Sequence, residues 1–99
     1  MKTILYVCVH NAGRSQMAEA FTNFLAARRG LDVQGLSAGT EAGERVNPLA
    51  VQVMEEIGIS LEGHTPKQLT QELADSASRI ITMGCGVDAT SCPARIHLS

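Results

Sequence analysis

The stretch from Ile4 to Val9, ILYVCV, is an unbroken apolar run rich in β-branched residues, and HNAGRS follows it at once. A strand without polar alternation needs cover on both faces, which a parallel sheet flanked by helices supplies. From Ser15 the period becomes helical, and the spacing puts Met17, Phe21, Phe24 and Leu25 on one buried face. Arg28 and Arg29 suit the negative end of that helix, and Gly30 is a natural stop. Strand, tight loop and helix form the first unit of an α/β fold.

The remaining pattern repeats the unit. Asp32 to Gly39 reads as a second strand weakened by Gly35, and TEAGERVN as a polar loop. Asn47-Pro48 opens a helix with proline at its first position, Ala50, Val51, Met54 and Ile57 as its buried stripe, and Gly58 as its end. Thr65-Pro66-Lys67-Gln68 matches a capping box for a shorter third helix carrying Leu69 and Leu73. Ser78 to Met83 is a third buried strand, GCGVDATSCPA a glycine-containing loop, and RIHL a short fourth strand. The order βαβα(α)β predicts a small doubly wound parallel sheet with helices on both faces, in one domain over residues 1–99. No helix follows the fourth strand to cover the sheet. The expectation is therefore a C-terminal truncation, with a last helix belonging to a longer protein.

Composition excludes several classes of function. A net charge of −2 with one Tyr, two Phe and no Trp offers nucleic acid neither a basic footprint nor a stacking platform. No apolar run is long enough to span a bilayer, so no membrane partner is expected. Lys2 followed by TILYVCV loosely mimics a signal peptide, but HNAGRS interrupts it, and the predicted location is the cytoplasm. Three cysteines cannot all pair within a static disulfide framework. In a reducing compartment they are more often catalytic, redox-active or metal-binding.

The loop between the first strand and helix is the usual anion position in such folds, since backbone N–H groups and the helix dipole converge there. Val9, His10, Asn11, Ala12, Gly13, Arg14 and Ser15 form the candidate cradle. Ala12 and Gly13 let the backbone curl around a ligand, and Arg14 adds a planar fork that matches a tetrahedral oxyanion. Cys8 lies at its base, where the same amides stabilise a thiolate. Asn11 and Ser15 are placed to donate to the sulfur or to hold the loop. A nucleophile beneath a bound oxyanion attacks its central atom in line, so the residues specify phosphoryl or arsenoryl chemistry. His10 is read as a rim side chain facing solvent, and His64 and His97 as carrying no constellation of their own. Cys85 and Cys92 admit a redox pair, a zinc site or inert loop positions; zinc is disfavoured because the spacing is not C-x-x-C and only His97 is near.

CVHNAGRS followed by QMAEA, with SAGT, VNPLA, GHTPK and IITMGC, resembles the low-molecular-weight protein tyrosine phosphatase superfamily, and most closely its arsenate reductase branch. The resemblance runs along essentially the whole chain. It implies that Cys8 is the nucleophile on arsenate, with phosphate and sulfate as competing anions. It further implies that Cys85 attacks Cys8 to release arsenite and that Cys92 then attacks Cys85. Thioredoxin would reduce the resulting disulfide, or a low-molecular-weight thiol of the mycothiol/mycoredoxin type would replace the relay; no bound cofactor is implied. Glu19, Asn11 and Ser37 match residues that hold a potassium ion in some members. Lys67 stands at the matching acidic position, so its ammonium is expected to take the cation's place with no metal. The alternatives are a phosphotyrosine-type phosphatase, which needs neither Cys85 nor Cys92, and a non-catalytic oxyanion-binding module. The family's general acid, an aspartate in Asp-Pro, is expected C-terminal to Ser99, and no Asp-Pro occurs among these residues. Without it, proton delivery to the leaving oxygen is slower by about two to four orders of magnitude.

Overall fold

A computed structural model describes residues 1–83. Cys85, Cys92, His97 and the expected fourth strand lie outside the described residues. The element order is β1 (Lys2–Cys8), α1 (Arg14–Arg29), β2 (Val33–Gly39), α2 (Pro48–Glu56), α3 (Gln71–Ser76) and β3 (Arg79–Thr82). All pairings are parallel in the order β2-β1-β3, with Cys8 opposite Gly39 and Val7 opposite Thr82. This is the expected doubly wound arrangement, with helices on both faces of a sheet centred on β1.

Alternation along β1 divides the core. Leu5 and Val7 are buried with Ala38, Leu69 and Ala74 on the face covered by α3. The opposite face carries Tyr6 and Cys8 against α1, where the Tyr6 hydroxyl meets Thr22 Oγ1 at 2.6 Å. Gly35 lets α1 lie close, because a Cβ there would stand 3.0 Å from both Glu19 O and Thr22 Cβ. That approach leaves room only for small or anchored side chains on α1, and its buried residues are Ser15, Gln16, Glu19, Ala20 and Ala26. The apolar stripe expected on α1 is therefore displaced. Met17 and Phe24 turn sideways to pack with Ala50 and Met54 of α2, while Phe21 is exposed.

Three other local expectations are corrected. Thr70, not Thr65, caps α3, accepting from Leu73 N at 3.1 Å. The 65–68 stretch cannot start a helix because its backbone is paired elsewhere. Lys67 O accepts from Gly39 N and Gly39 O from Leu69 N, each at 2.8 Å, and Lys67 N donates to Asn11 Oδ1 at 2.8 Å. Ile57 is exposed as the C-cap of α2, not buried on its stripe. β3 is largely exposed, with only Ile80 packed into the core, because it is an edge strand among the described residues. Among the described residues no helix is long and apolar enough to cross a membrane.

Candidate active site

From β1 the chain crosses to β2 on one side and then returns to β3 on the other, so the strand order reverses between β1 and β3 and a crevice forms beyond the carboxyl ends of these strands. The 8–15 loop occupies it. Its sharp turn is made at Asn11, the single non-glycine residue of positive φ (52°) among the described residues, a conformational role the sequence did not single out. Asparagine tolerates this conformation because its short amide bonds locally.

The carbonyls of the loop are all engaged. Cys8 O accepts from Thr40 N (3.0 Å), Val9 O from Glu41 N (2.7 Å), His10 O from Gly43 N (2.9 Å) and Ala12 O from Asn47 N (2.6 Å). Asn11 O accepts from Gln16 Nε2 (3.1 Å) and Gly13 O from Met17 N (3.0 Å). The 40–47 segment thus straps the loop from outside and leaves the N–H groups for the inside. Asn11 N donates to Cys8 Sγ at 3.0 Å, while the amides of His10, Ala12, Gly13 and Arg14 have no acceptor among the described residues. α1 has Gly13 as its N-cap, with no side-chain cap and no acidic residue in its first turn, so its positive end favours an anion.

Cys8 lies buried at the floor of a cavity of about 490 Å³. Val9, His10, Ala12, Gly13 and Arg14 line it on the loop side, and Met17, Leu49, Ala50, Val53 and Met83 form an apolar wall. No Phe, Tyr or Trp lines it among the described residues. His10 is exposed at the rim, with Nδ1 3.0 Å from Glu41 O.

Asn11 and Ser15, also predicted for the site, are fully buried behind the cavity. Ser15 Oγ is 2.7 Å from Cys8 Sγ and accepts from Asn11 Nδ2 at 2.8 Å, so with the thiolate present the hydroxyl donates to sulfur. Glu19, Ser37 and Lys67 meet one layer deeper. Glu19 Oε1 accepts from Ser37 Oγ at 2.7 Å and lies 3.3 Å from Lys67 Nζ. The Lys67 ammonium thus lies against the Glu19 carboxylate. Among the described residues no cluster of His, Cys, Asp and Glu is arranged to hold a metal.

Two residues that the sequence left without a role join this layer. Gln16 is fully buried and its Nε2 reaches Asn11 Oδ1 (3.0 Å) and Thr65 O (3.0 Å), clamping the loop to the 64–67 segment. His64 Nδ1 lies 3.1 Å from Gln16 Oε1 and 3.5 Å from Glu19 Oε2, which corrects the reading of His64 as isolated. Both sit in quoted motifs, QMAEA and GHTPK, where a buried polar residue beside a reactive loop was the available signal. Gly39 of SAGT was also missed: a Cβ there would come within 2.6 Å of Val9 O and 2.9 Å of Asn11 N.

The model of the low molecular weight phosphotyrosine protein phosphatase family matches residues 3–97. An arsenate reductase from Halalkalibacterium halodurans is 41% identical over 93 residues, which are 94% of this chain and 63% of that protein. Among solved structures, a thioredoxin-dependent arsenate reductase from Corynebacterium glutamicum superposes with a TM-score of 0.77 at 38% identity, covering 94% of this chain and 44% of that one. A low molecular weight protein tyrosine phosphatase from T. tengcongensis superposes with a TM-score of 0.80 at 34% identity, covering 84% of this chain and 58% of that one. The chain spans 58 to 65% of the length of the first three curated relatives it matches. A loop with its carbonyls tied down and a cysteine beneath its free amides, together with these matches, places the chain in the low molecular weight phosphotyrosine protein phosphatase family.

Proposed function

We propose that this protein reduces arsenate to arsenite. The observation that carries the reading is Cys8 Sγ, held by Asn11 N and Ser15 Oγ beneath amides that have no other acceptor among the described residues. The arsenate reductase relatives favour arsenic over phosphorus as the central atom. Arsenate enters with its oxygens toward the loop amides and the Arg14 fork, which stabilise the charge that builds in the transition state. The Cys8 thiolate attacks arsenic and an oxygen leaves as water, giving an As(V)–sulfur adduct. Attack of the Cys85 thiolate on Cys8 Sγ forms a disulfide, and the electron pair of the As–S bond passes to arsenic, which leaves as As(III). Cys92 then displaces Cys8 from Cys85, returning Cys8 as a thiolate and leaving Cys85–Cys92 as the redox-active disulfide. Thioredoxin or a mycothiol/mycoredoxin-type system supplies the two electrons of each cycle, in the cytoplasm, as part of arsenic detoxification. Lys67, Glu19 and Ser37 act behind the loop by fixing Asn11 and the strand ends that shape it.

Phosphate ester hydrolysis is a second reading, supported by the likeness to the T. tengcongensis phosphatase. It shares Cys8 and Arg14 but has no use for Cys85 or Cys92. Steady-state assays of the Cys92→Ser variant with arsenate and thioredoxin separate the two. The relay gives one arsenite per chain and then a trapped Cys8–Cys85 disulfide. Unchanged multiple turnover contradicts the relay, and phosphate ester hydrolysis without arsenite release supports the second reading.

A further inference from the structure

Gln68 lies outside the cavity and, among the described residues, bonds to nothing that lines it, yet both the nitrogen and the oxygen of its side-chain amide are engaged. Its Nε2 donates to Thr40 O at 2.8 Å and its Oε1 accepts from Ala42 N at 3.1 Å. These two atoms belong to consecutive peptide units of the strap. In the Thr40–Glu41 unit the carbonyl is held by Gln68, and the N–H donates to Val9 O at 2.7 Å. In the Glu41–Ala42 unit the N–H is held by Gln68, and the carbonyl faces His10 Nδ1 at 3.0 Å. A trans peptide is planar with its C=O and N–H pointing opposite ways, so fixing one end of each unit fixes the other. Gln68 therefore stands across two rigid plates from a loop carbonyl and from the imidazole at the cavity rim.

The base of this lever is itself fixed. Gln68 bridges Gly39 in parallel register, flanked by the paired Lys67 O and Leu69 N, and Leu69 is buried. The side chain continues the pairing where the backbone pairing stops. We infer that Gln68 is a positioning residue for the oxyanion site: through the two peptide planes it holds the Val9 carbonyl outward and locks the His10 ring. Because Glu41 O can only accept, the lock requires the proton on His10 Nδ1 and leaves Nε2 as the free nitrogen of the neutral ring. The role in anion binding rests on the oxyanion reading above; the His10 tautomer does not.

Gln68→Met keeps the length of the side chain and removes both bonds, and the site is exposed, so the fold is retained. Inorganic phosphate titrated into the wild type and the variant, followed through the loop amides by NMR, gives the affinity. Nitrogen shifts of the His10 ring give its tautomer. Loss of two solvent-accessible bonds is expected to weaken phosphate binding by roughly 3- to 10-fold. The His10 signals are expected to move from the Nδ1–H form toward the mixture of a free ring. Unchanged phosphate affinity in the variant, with the wild type binding, overturns the inference. If the wild type takes no phosphate, the oxyanion reading fails and the ring signals alone decide: unchanged signals overturn the role of Gln68.

Discussion

On one face of β1, Leu5 and Val7 are buried with Ala38, Leu69 and Ala74 under α3; on the other, Cys8 lies over Ser15, with Gln16, Asn11, Glu19 and Ser37 buried around it. The same strand thus builds an apolar core and a polar one from alternate residues. Burial on the α3 side stabilises in proportion to area and tolerates changes of shape. Burial on the α1 side is useful only when every group is paired, and among the described residues no buried side-chain nitrogen or oxygen lacks a partner. The difference assigns the two faces separate tasks: the first holds the chain together and the second holds the Cys8 sulfur and a ring of amides in one geometry.

Substitutions on the two faces test that separation. Cys8→Ser has the largest expected effect, abolishing arsenite production while phosphate still titrates the loop amides; residual reduction by this variant contradicts the account. Leu5→Ala, fully buried on the α3 side, is expected to cost about 2–5 kcal/mol in urea unfolding. The folded fraction of that variant should bind phosphate as the wild type does. Gly39→Ala inverts the pattern, because the added methyl collides with Val9 O and Asn11 N. Its stability loss is expected to be smaller, about 1–3 kcal/mol, but phosphate affinity should fall measurably. If Leu5→Ala weakens phosphate binding as much as Gly39→Ala does, the two faces are not separable. Thr70→Ala removes the α3 cap on the apolar side and should lower stability by about 1 kcal/mol, with no change in anion affinity.

The parallel sheet, the succession of its elements and the position of the loop are legible in the sequence because ILYVCV, the helical period after Ser15 and Asn47-Pro48 are local signals; the spatial strand order β2-β1-β3 is not. The cap of α3 was misplaced because Thr65-Pro66-Lys67-Gln68 carries the right residues but spends its backbone on Gly39 and Asn11, a tertiary fact with no local trace. Phe21 is exposed for the same kind of reason. The period of α1 is apolar on one side, but the close approach over Gly35 selects the face with Ser15, Gln16 and Glu19. Within the site, Cys8, Asn11, Arg14 and Ser15 could be named from one short motif. Gln16, His64 and Gln68 could not, since each matters through partners distant in the chain.

The central claim is that Cys8 attacks an oxyanion held by the loop and is then relieved by the downstream cysteines. One exposure of the fully reduced protein to arsenate, with arsenite counted and disulfides located by peptide mass mapping, tests it most directly. The account predicts one arsenite per chain, a Cys85–Cys92 disulfide and Cys8 recovered as a free thiol. Absence of arsenite with all three cysteines still reduced contradicts it.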